Sequence, residues 1–310
     1  MSLSTPVAFL IFNRPELTKT VFEAIRQAQP QKLLVIADGP RFPEEAEKCQ
    51  KTREIINQVD WQCEVLTNFS ENNLGCKQRI SSGLNWVFSE VEEAIILEDD
   101  CLPAPSFFEF CQNLLERYRD DERIMHISGN NFQDSQSRNT FSYYLSKYTH
   151  VWGWASWRRA WKHYDVTLKT WPEYKKSSII ASICESVYEQ KYWTDIFENV
   201  FNNAIDTWDY QWLYTCWFQS GLSVLPNSNL VSNIGFGSDA THTKSKTFLS
   251  QLPTTDIWEV NHPPFILRDK IADDYTFDYH YGGKNIKTIN KFISKAKHSI
   301  KSIKNSWQLR

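Results

Sequence analysis

Ala94-Ile95-Ile96-Leu97-Glu98-Asp99-Asp100 runs an apolar stretch straight into three consecutive carboxylates. Four apolar residues in a row suit a short strand buried on both faces, as in the parallel sheet of an α/β domain. Ligands of open α/β sheets bind outside the carboxyl ends of strands, which is where these acids fall. Three adjacent acids repel one another and cannot share a dry environment uncompensated, so a hard divalent cation with oxygen ligands is their natural partner. A solvated acidic turn is the plain alternative. The buried-type strand in front and the turn forced by Cys101-Leu102-Pro103-Ala104-Pro105 behind weigh toward the cation.

Outward from this stretch, strand and helix alternate four times. Val7-Ala8-Phe9-Leu10-Ile11-Phe12 reads as a strand, Asn13-Arg14-Pro15 as a turn, and Glu16 to Ala28 as a helix with Pro15 near its first turn. Leu33-Leu34-Val35-Ile36-Ala37 is a second strand ending at Asp38-Gly39-Pro40, with a helix from about Pro43 to Val59. Cys63-Glu64-Val65-Leu66 is a third strand, followed by a helix from about Lys77 to Phe88 and then by the strand that ends in the acids. This alternation implies a parallel sheet covered by helices. Arg14, Asp38 and the acidic triplet all fall at strand carboxyl edges, and their convergence on one crevice is the geometry of a nucleotide site. With no GxGxxG and no Walker loop in the chain, phosphate must be held through a metal, which the triplet can supply.

At 310 residues the chain can form one large domain or two closely packed lobes. No apolar stretch is long enough to cross a bilayer, and Met1-Ser2-Leu3-Ser4-Thr5-Pro6 lacks the charged start and apolar middle of a signal peptide. A soluble, cytoplasmic protein is therefore expected. Seven cysteines without CxxC spacing suit reduced thiols in the same compartment. The 13 tryptophans and 13 tyrosines exceed what a core requires and suit stacking on sugars. The net charge of −3 hides an asymmetry, because Gly282 to Arg310 hold seven lysines, one arginine and no acid, giving that tail +8 and the remainder about −11. Within it Ile286, Ile289, Ile293, Ala296, Ile300, Ile303 and Trp307 recur at spacings of three and four, one face of a helix. With lysines on the other face, residues 284–310 read as an amphipathic helix on an anionic membrane surface, which makes the protein peripheral on the inner face of the membrane. Nucleic acid is not an expected partner.

The order of these motifs over roughly residues 6 to 243 resembles the metal-dependent glycosyltransferases of the GT-A fold, and within them the N-acetylglucosaminyltransferase I family. Asn13-Arg14-Pro15 resembles the segment whose arginine holds the nucleotide, and Asp38 in Ala-Asp-Gly resembles the acid that reads the uracil. Arg79 stands before Glu98-Asp99-Asp100 as the family's basic residue does, and Pro103, Pro105 and Phe107-Phe108-Glu109-Phe110 extend the match. Ser128-Gly129-Asn130-Asn131 resembles the loop after the next strand, and Val151-Trp152-Gly153-Trp154 a Gly-Trp turn lining the donor-sugar pocket. Trp208-Asp209-Tyr210-Gln211-Trp212 resembles the Trp-Asp-Asp-Trp element that holds the catalytic base, and Pro226 to Asn233, Gly235-Phe236-Gly237 and His242 resemble the stretch that closes over the phosphates. The chain departs from the pattern where Tyr210 replaces the second acid, which leaves the base to Asp209, and where the bulkier Trp152 reshapes the sugar pocket.

The resemblance implies an α/β fold of the GT-A type, with a mixed, mostly parallel sheet flanked by helices. Residues 1–127 would bind the nucleotide sugar, 128–262 would form the acceptor and catalytic part of the same domain, and 263–310 a C-terminal extension with the basic helix. It implies transfer of GlcNAc or another hexose from a UDP-sugar to a hydroxyl of a glycan or lipid-linked glycan in cell-surface polysaccharide synthesis. Asp100 would hold Mn or Mg, with His242 as a second ligand. Glu98 and Asp99 would meet ribose or donor-sugar hydroxyls, Lys77 and Arg79 the diphosphate, and Trp152, Gly153, Trp154 and Trp208 the donor pocket. Asp209 would take the acceptor proton and so invert the anomeric centre, a role helped by partial burial beside Trp208 or Trp212. The competing readings are a retaining transferase of the same fold, a sugar-phosphate nucleotidylyltransferase, whose Gly-rich signature Phe12-Asn13-Arg14-Pro15 does not supply, and a non-catalytic carbohydrate-binding protein.

Overall fold

The computed structural model of the chain describes residues 3–134, 136–236 and 251–289. Its first part alternates strand and helix: β1 (Val7–Ile11), α1 (Pro15–Ala28), β2 (Lys32–Ala37), α2 (Ala46–Glu54), β3 (Glu64–Phe69), α3 (Gly75–Glu90) and β4 (Glu93–Glu98). Pro15 opens α1, where its missing N–H costs nothing, and Thr18, Val21, Phe22 and Ile25 form its buried face. α2 is shorter than the sequence pattern suggests, because tighter 3-10 turns at Pro43–Glu45 and Ile55–Gln58 take both of its ends.

Then follow β5 (Cys101–Pro103), α4 (Ser106–Arg117), β6 (Ile124–Ser128), β7 (Tyr143–Ser146), β8 (Trp154–Trp157), the short helices α5 (Arg158–Trp161), α6 (Trp171–Tyr174) and α7 (Ile179–Ile183), and the longer α8 (Val187–Phe201) and α9 (Asp209–Phe218). β9 (Leu222–Pro226), β10 (Val231–Asn233) and α10 (Lys270–Tyr275) complete the fold, α10 running into a π-helical turn, Thr276–His280.

Eight strands form one sheet in the order β3-β2-β1-β4-β8-β6-β9-β7. β1, β2, β3 and β4 pair in parallel, as do β6 and β9, whereas β8 runs antiparallel to both of its neighbours and β7 antiparallel to β9. The class is therefore α/β with a mixed sheet flanked by helices. Both faces are covered, and β1 shows it with a period of two. Val7, Phe9 and Ile11 join α1 and α4 in one core cluster, while Ala8 and Leu10 join α3 and α9 in the other. Charged side chains in β1, β2 and β4 are consequently confined to the strand ends. From β1 the chain steps to β2 on one side, and β4 lies on the other, so the strand order reverses between β1 and β4. Their carboxyl ends flank the crevice where open α/β sheets bind ligands.

The tryptophans do a different job from the one expected of them. Eight of the 13 are buried. Trp154 of β8 stacks on Trp208 with centroids 5.7 Å apart, and Trp161 and Trp212 close the same cluster. Most of the excess aromatic surface thus packs α9 and the helices around it onto the sheet. All seven cysteines are unpaired and five are buried.

Among the described residues no helix is long and apolar enough to cross a membrane. Most of the basic amphipathic stretch, 290–310, lies outside the described residues. Where it is described, it turns to the chain's own surface: Lys284 Nζ donates to the Tyr279 hydroxyl at 3.2 Å and Lys287 Nζ to Asp278 Oδ1 at 2.5 Å.

α10 is tied to the sheet through Asp273, which is 1% exposed and accepts from Ser146 Oγ of β7 at 2.5 Å. Burial pushes its carboxyl up to about 7, against the opposing pull of Ser146, Lys147 and Arg268. The folded chain then holds this proton more tightly than the unfolded chain, whose ordinary value is 3.8. Stability from this group is greatest at low pH and falls as pH rises from about 4 to about 7. Asp273→Asn should flatten that fall by on the order of 2 kcal/mol, read as Tm against pH; an unchanged slope would clear Asp273 of the effect.

Candidate active site

A cavity of about 830 Å³ opens at the carboxyl ends of β1, β2 and β4. Nine of the expected site residues line it: Arg14, Asp38, Arg79, Glu98, Asp99, Asp100, Trp152, Trp208 and Asp209. The apolar run of β4 ends against the core at Leu97, so the three acids emerge together at the cavity floor.

The acids are only partly neutralised. Arg14, just ahead of α1, pairs with Asp99 through one guanidinium nitrogen and with Asp100 Oδ2 through the other at 2.9 Å. Burial opposes the charge on Arg14, but the two carboxylates outweigh it. Asp99 also accepts from the Phe12 backbone N–H at 3.2 Å and is 2% exposed, so it serves chiefly to lock the β1 turn to the end of β4. Burial raises the Asp99 carboxyl to about 6, with Arg14 pulling against it. Glu98 has no such partner, and burial followed by repulsion from Asp100 and Asp99 pushes it up to about 8. Six acids line the cavity against three arginines, one of which, Arg41, is committed to Glu45. A diphosphate entering this field needs added positive charge.

Asp38 and Arg79 are held by the protein itself. Asp38 Oδ1 accepts from the backbone N–H groups of Gly39 and Leu74, and Oδ2 from the N–H of Gly75 and from Asn73 Nδ2, all between 2.9 and 3.1 Å. Four donors fill a carboxylate's acceptor sites, so Asp38 clasps the start of α3, and reading a uracil would require one of these bonds to open. The Arg79 guanidinium donates to the carbonyls of Ala37 and Asn68, closing the ends of β2 and β3. Lys77 Nζ is turned to Asn203 Oδ1 at 2.7 Å and is not part of the cavity wall.

Gly153 sits at φ +70°, in the left-handed region that favours glycine, and this turn separates its two tryptophan neighbours. Trp152 faces the cavity, whereas Trp154 enters β8, is fully buried and stacks on His126 at 5.2 Å. Trp154 is a core residue and not part of the donor pocket. His242 lies outside the described residues.

In the wall of the same cavity, Asp209 is the first residue of α9, anchored by Trp208 in the core and held by the Thr207 hydroxyl, which donates to Oδ1. A carboxylate at a helix N-terminus is favoured in its ionised form by the helix dipole. The field of Asp209 reaches Glu98, which places the two on one space. The remaining wall holds residues that strand-end reasoning did not reach. Phe132 stacks on His280 at 4.6 Å and meets His150 edge-on at 4.5 Å, and Tyr281 stands beside them. Burial holds His280 down near 4 and lowers His150 far below the usual range, so both imidazoles are neutral at pH 7. His280 closes the π-helical turn after α10 and Tyr281 follows it, and the density of tyrosines from 275 to 281 was the signal available for them.

The donor set suits a hard divalent ion bound through one protein carboxylate. Among the described residues no group of three or more His, Cys, Asp or Glu stands in metal-holding geometry. Magnesium-type ions bound with substrate phosphates need only one or two carboxylates. Asp100 fits that use. Its Oδ2 is paired with Arg14, its backbone carbonyl accepts from Ile234 at 2.8 Å, and Gly235 lies so close over it that an added Cβ would collide with the carboxylate. The 231–236 stretch, set by the antiparallel pairing of β10 with β5, thus forms a cradle around Asp100 that glycine keeps open.

No family model matches the chain, and no curated protein does. Among solved structures, it is similar to the inositol-1-phosphate CTP transferase from T. maritima at 11% identity over 77% of this chain and 91% of that one, with a TM-score of 0.38. It is similar to the galactosyltransferase LgtC in complex with donor and acceptor sugar analogs at 9% identity over 68% and 70%, with a TM-score of 0.36. A UDP-glucose pyrophosphorylase complexed with UDP-glucose is similar at 11% identity over 46% of this chain, with a TM-score of 0.27, and the chain spans 62% of that protein's length. At TM-scores this far below 0.5 the likenesses carry no weight in assigning chemistry.

Proposed function

We propose that the chain is a metal-dependent, inverting glycosyltransferase of the GT-A type that moves GlcNAc or another hexose from a UDP-sugar to a glycan or lipid-linked glycan hydroxyl. The observation that carries this reading is the presence of two acidic centres in one cavity at the topological switch point: Asp100 in its glycine-lined cradle and Asp209 at the head of α9. A binding protein has no use for a carboxylate cluster left short of positive charge, because that cluster repels a nucleotide sugar. When bound, Mn or Mg at Asp100 neutralises charge on the leaving diphosphate. The protein's own residues do the rest. Arg14 holds Asp99 and Asp100 in place, Trp152 and Phe236 wall the donor end, and Asp209 accepts the proton of the attacking hydroxyl from the face opposite the leaving group, which inverts the anomeric centre. The neutral imidazoles of His150 and His280 offer hydrogen bonds to sugar hydroxyls without adding charge.

The test is release of UDP from a panel of UDP-hexoses with Mn, Mg or chelator, followed by NMR of the product anomer. Turnover of at least one donor is expected, with dependence on the added metal and an inverted product. No turnover across the panel would remove the transferase reading, and a retained anomer would remove Asp209 as the base of a single displacement.

A further inference from the structure

A second cavity of about 500 Å³ abuts the first. Phe132 belongs to both walls. Its neighbours divide between them, Asn130 facing the large cavity and Asn131 the small one. The C-terminal segment divides in the same way. Tyr275 and Tyr279, one turn apart where α10 passes into its π-helical turn, stack at 4.3 Å and line the small cavity, while His280 and Tyr281 line the large one. The tyrosine pair is braced by the Arg138 guanidinium, 4.9 Å from the centre of the Tyr275 ring, and the Lys284 ammonium, 4.8 Å from the centre of the Tyr279 ring. The Tyr279 hydroxyl is taken by Lys284 Nζ, so the ring edges and the Tyr275 hydroxyl are what the pair offers a ligand.

The chemistry of this second cavity is that of a neutral, hydroxyl-rich ligand. Among the described residues no lysine, arginine or histidine lines it, so its wall carries no cation for a phosphate, and about half of that wall is polar, which does not suit a lipid chain. Among the described residues the Asp134 carboxylate and the Ser228 and Thr255 hydroxyls lining it have no hydrogen-bond or ion-pair partner. The amides of Asn131, Asn227 and Asn229 are fixed in orientation by their own bonds to backbone groups. These amides shape the wall and are spent on the protein; a carboxylate, two free hydroxyls and aromatic edges remain, the complement of a sugar ring, which presents hydroxyls around an apolar body.

We propose that the small cavity binds a second sugar residue of the acceptor, so that the acceptor is a neutral oligosaccharide of at least two residues rather than a single sugar. This rests on the transferase reading above. The reacting residue lies by Asp209 in the large cavity, and the next residue passes Phe132 into the small one.

The test is calorimetric titration of the whole chain, with UDP and Mn present, using neutral di- to tetrasaccharides and their constituent monosaccharides. At least one oligosaccharide should bind about tenfold more tightly than its terminal monosaccharide, and Asp134→Ala and Ser228→Trp, one removing a polar partner and one filling the space, should each abolish about that tenfold gain. Both positions are away from the core, and an unchanged Tm confirms an intact fold in each variant. Absence of binding across the panel, equal affinity for mono- and oligosaccharides, or wild-type affinity in both variants would overturn the proposal. Oligosaccharide discrimination that depends on Asp134 and Ser228, in a protein that releases no UDP from any donor, would instead leave the cavity as a glycan site and dismiss the transferase reading.

Discussion

Replacing Asp209 by Asn should lower UDP-sugar turnover by about 10²–10⁴-fold while leaving the donor KM nearly unchanged. Asn keeps the size of the side chain and an oxygen to accept from the Thr207 hydroxyl, so the geometry at the head of α9 survives and only the proton acceptor is lost. The stability change should stay below about 1 kcal/mol, the value of a carboxylate in the first turn of a helix. Initial rates of UDP release at saturating donor, with a melting curve for each protein, check both parts. A loss smaller than about fivefold would mean that another group takes the proton. Asp206, a carboxylate in the same cavity wall, is the neighbour to examine then.

Asp100→Ala should remove metal-stimulated turnover, by about a thousandfold if the ion contributes the several kcal/mol usual for charge stabilisation at a leaving group. Binding of Mn in the presence of UDP, followed by electron paramagnetic resonance, should be lost in the same variant, and persistence of either signal would place the ion elsewhere. The expected effect on stability has the opposite sign. Asp100 is, after burial, the chief cause of the raised Glu98 carboxyl, and Arg14 retains Asp99 when Asp100 is gone. Removing one of three crowded acids relieves repulsion, so the variant should melt no lower than the parent at pH 8. Loss of activity without loss of stability is the signature of a residue kept for function at the expense of local comfort.

The two substitutions bear on how much of this protein is legible without its structure. The place of Asp100 in a cavity wall was, because an apolar strand that runs into acids must end at a surface, and the alternation of β1, α1, β2, α2, β3, α3 and β4 follows from patterns of period two and period 3.6 that act over short distances. Asp38 shows the limit. An acid at a strand end reads as a ligand group, yet its four acceptor positions are filled by Gly39, Asn73, Leu74 and Gly75, some of them more than thirty residues further along the chain. Trp154 shows it from the other side, since a single left-handed glycine sends one tryptophan to the cavity and the next to the core. Most of the tryptophans followed Trp154 inward because burying an indole against other indoles outweighs leaving it at a surface.

Sequence alone determined the α/β class, the placing of Arg14, Glu98, Asp99 and Asp100 at strand ends, and the candidacy of Asp209, because each depends on residues near one another in the chain. Tertiary structure decided which of those groups are already spent on the protein itself, and that residues 275–281, far along the chain, form the wall between two cavities. Hydrogen-bond saturation and shared walls are properties of the assembled neighbourhood, and no local pattern encodes them.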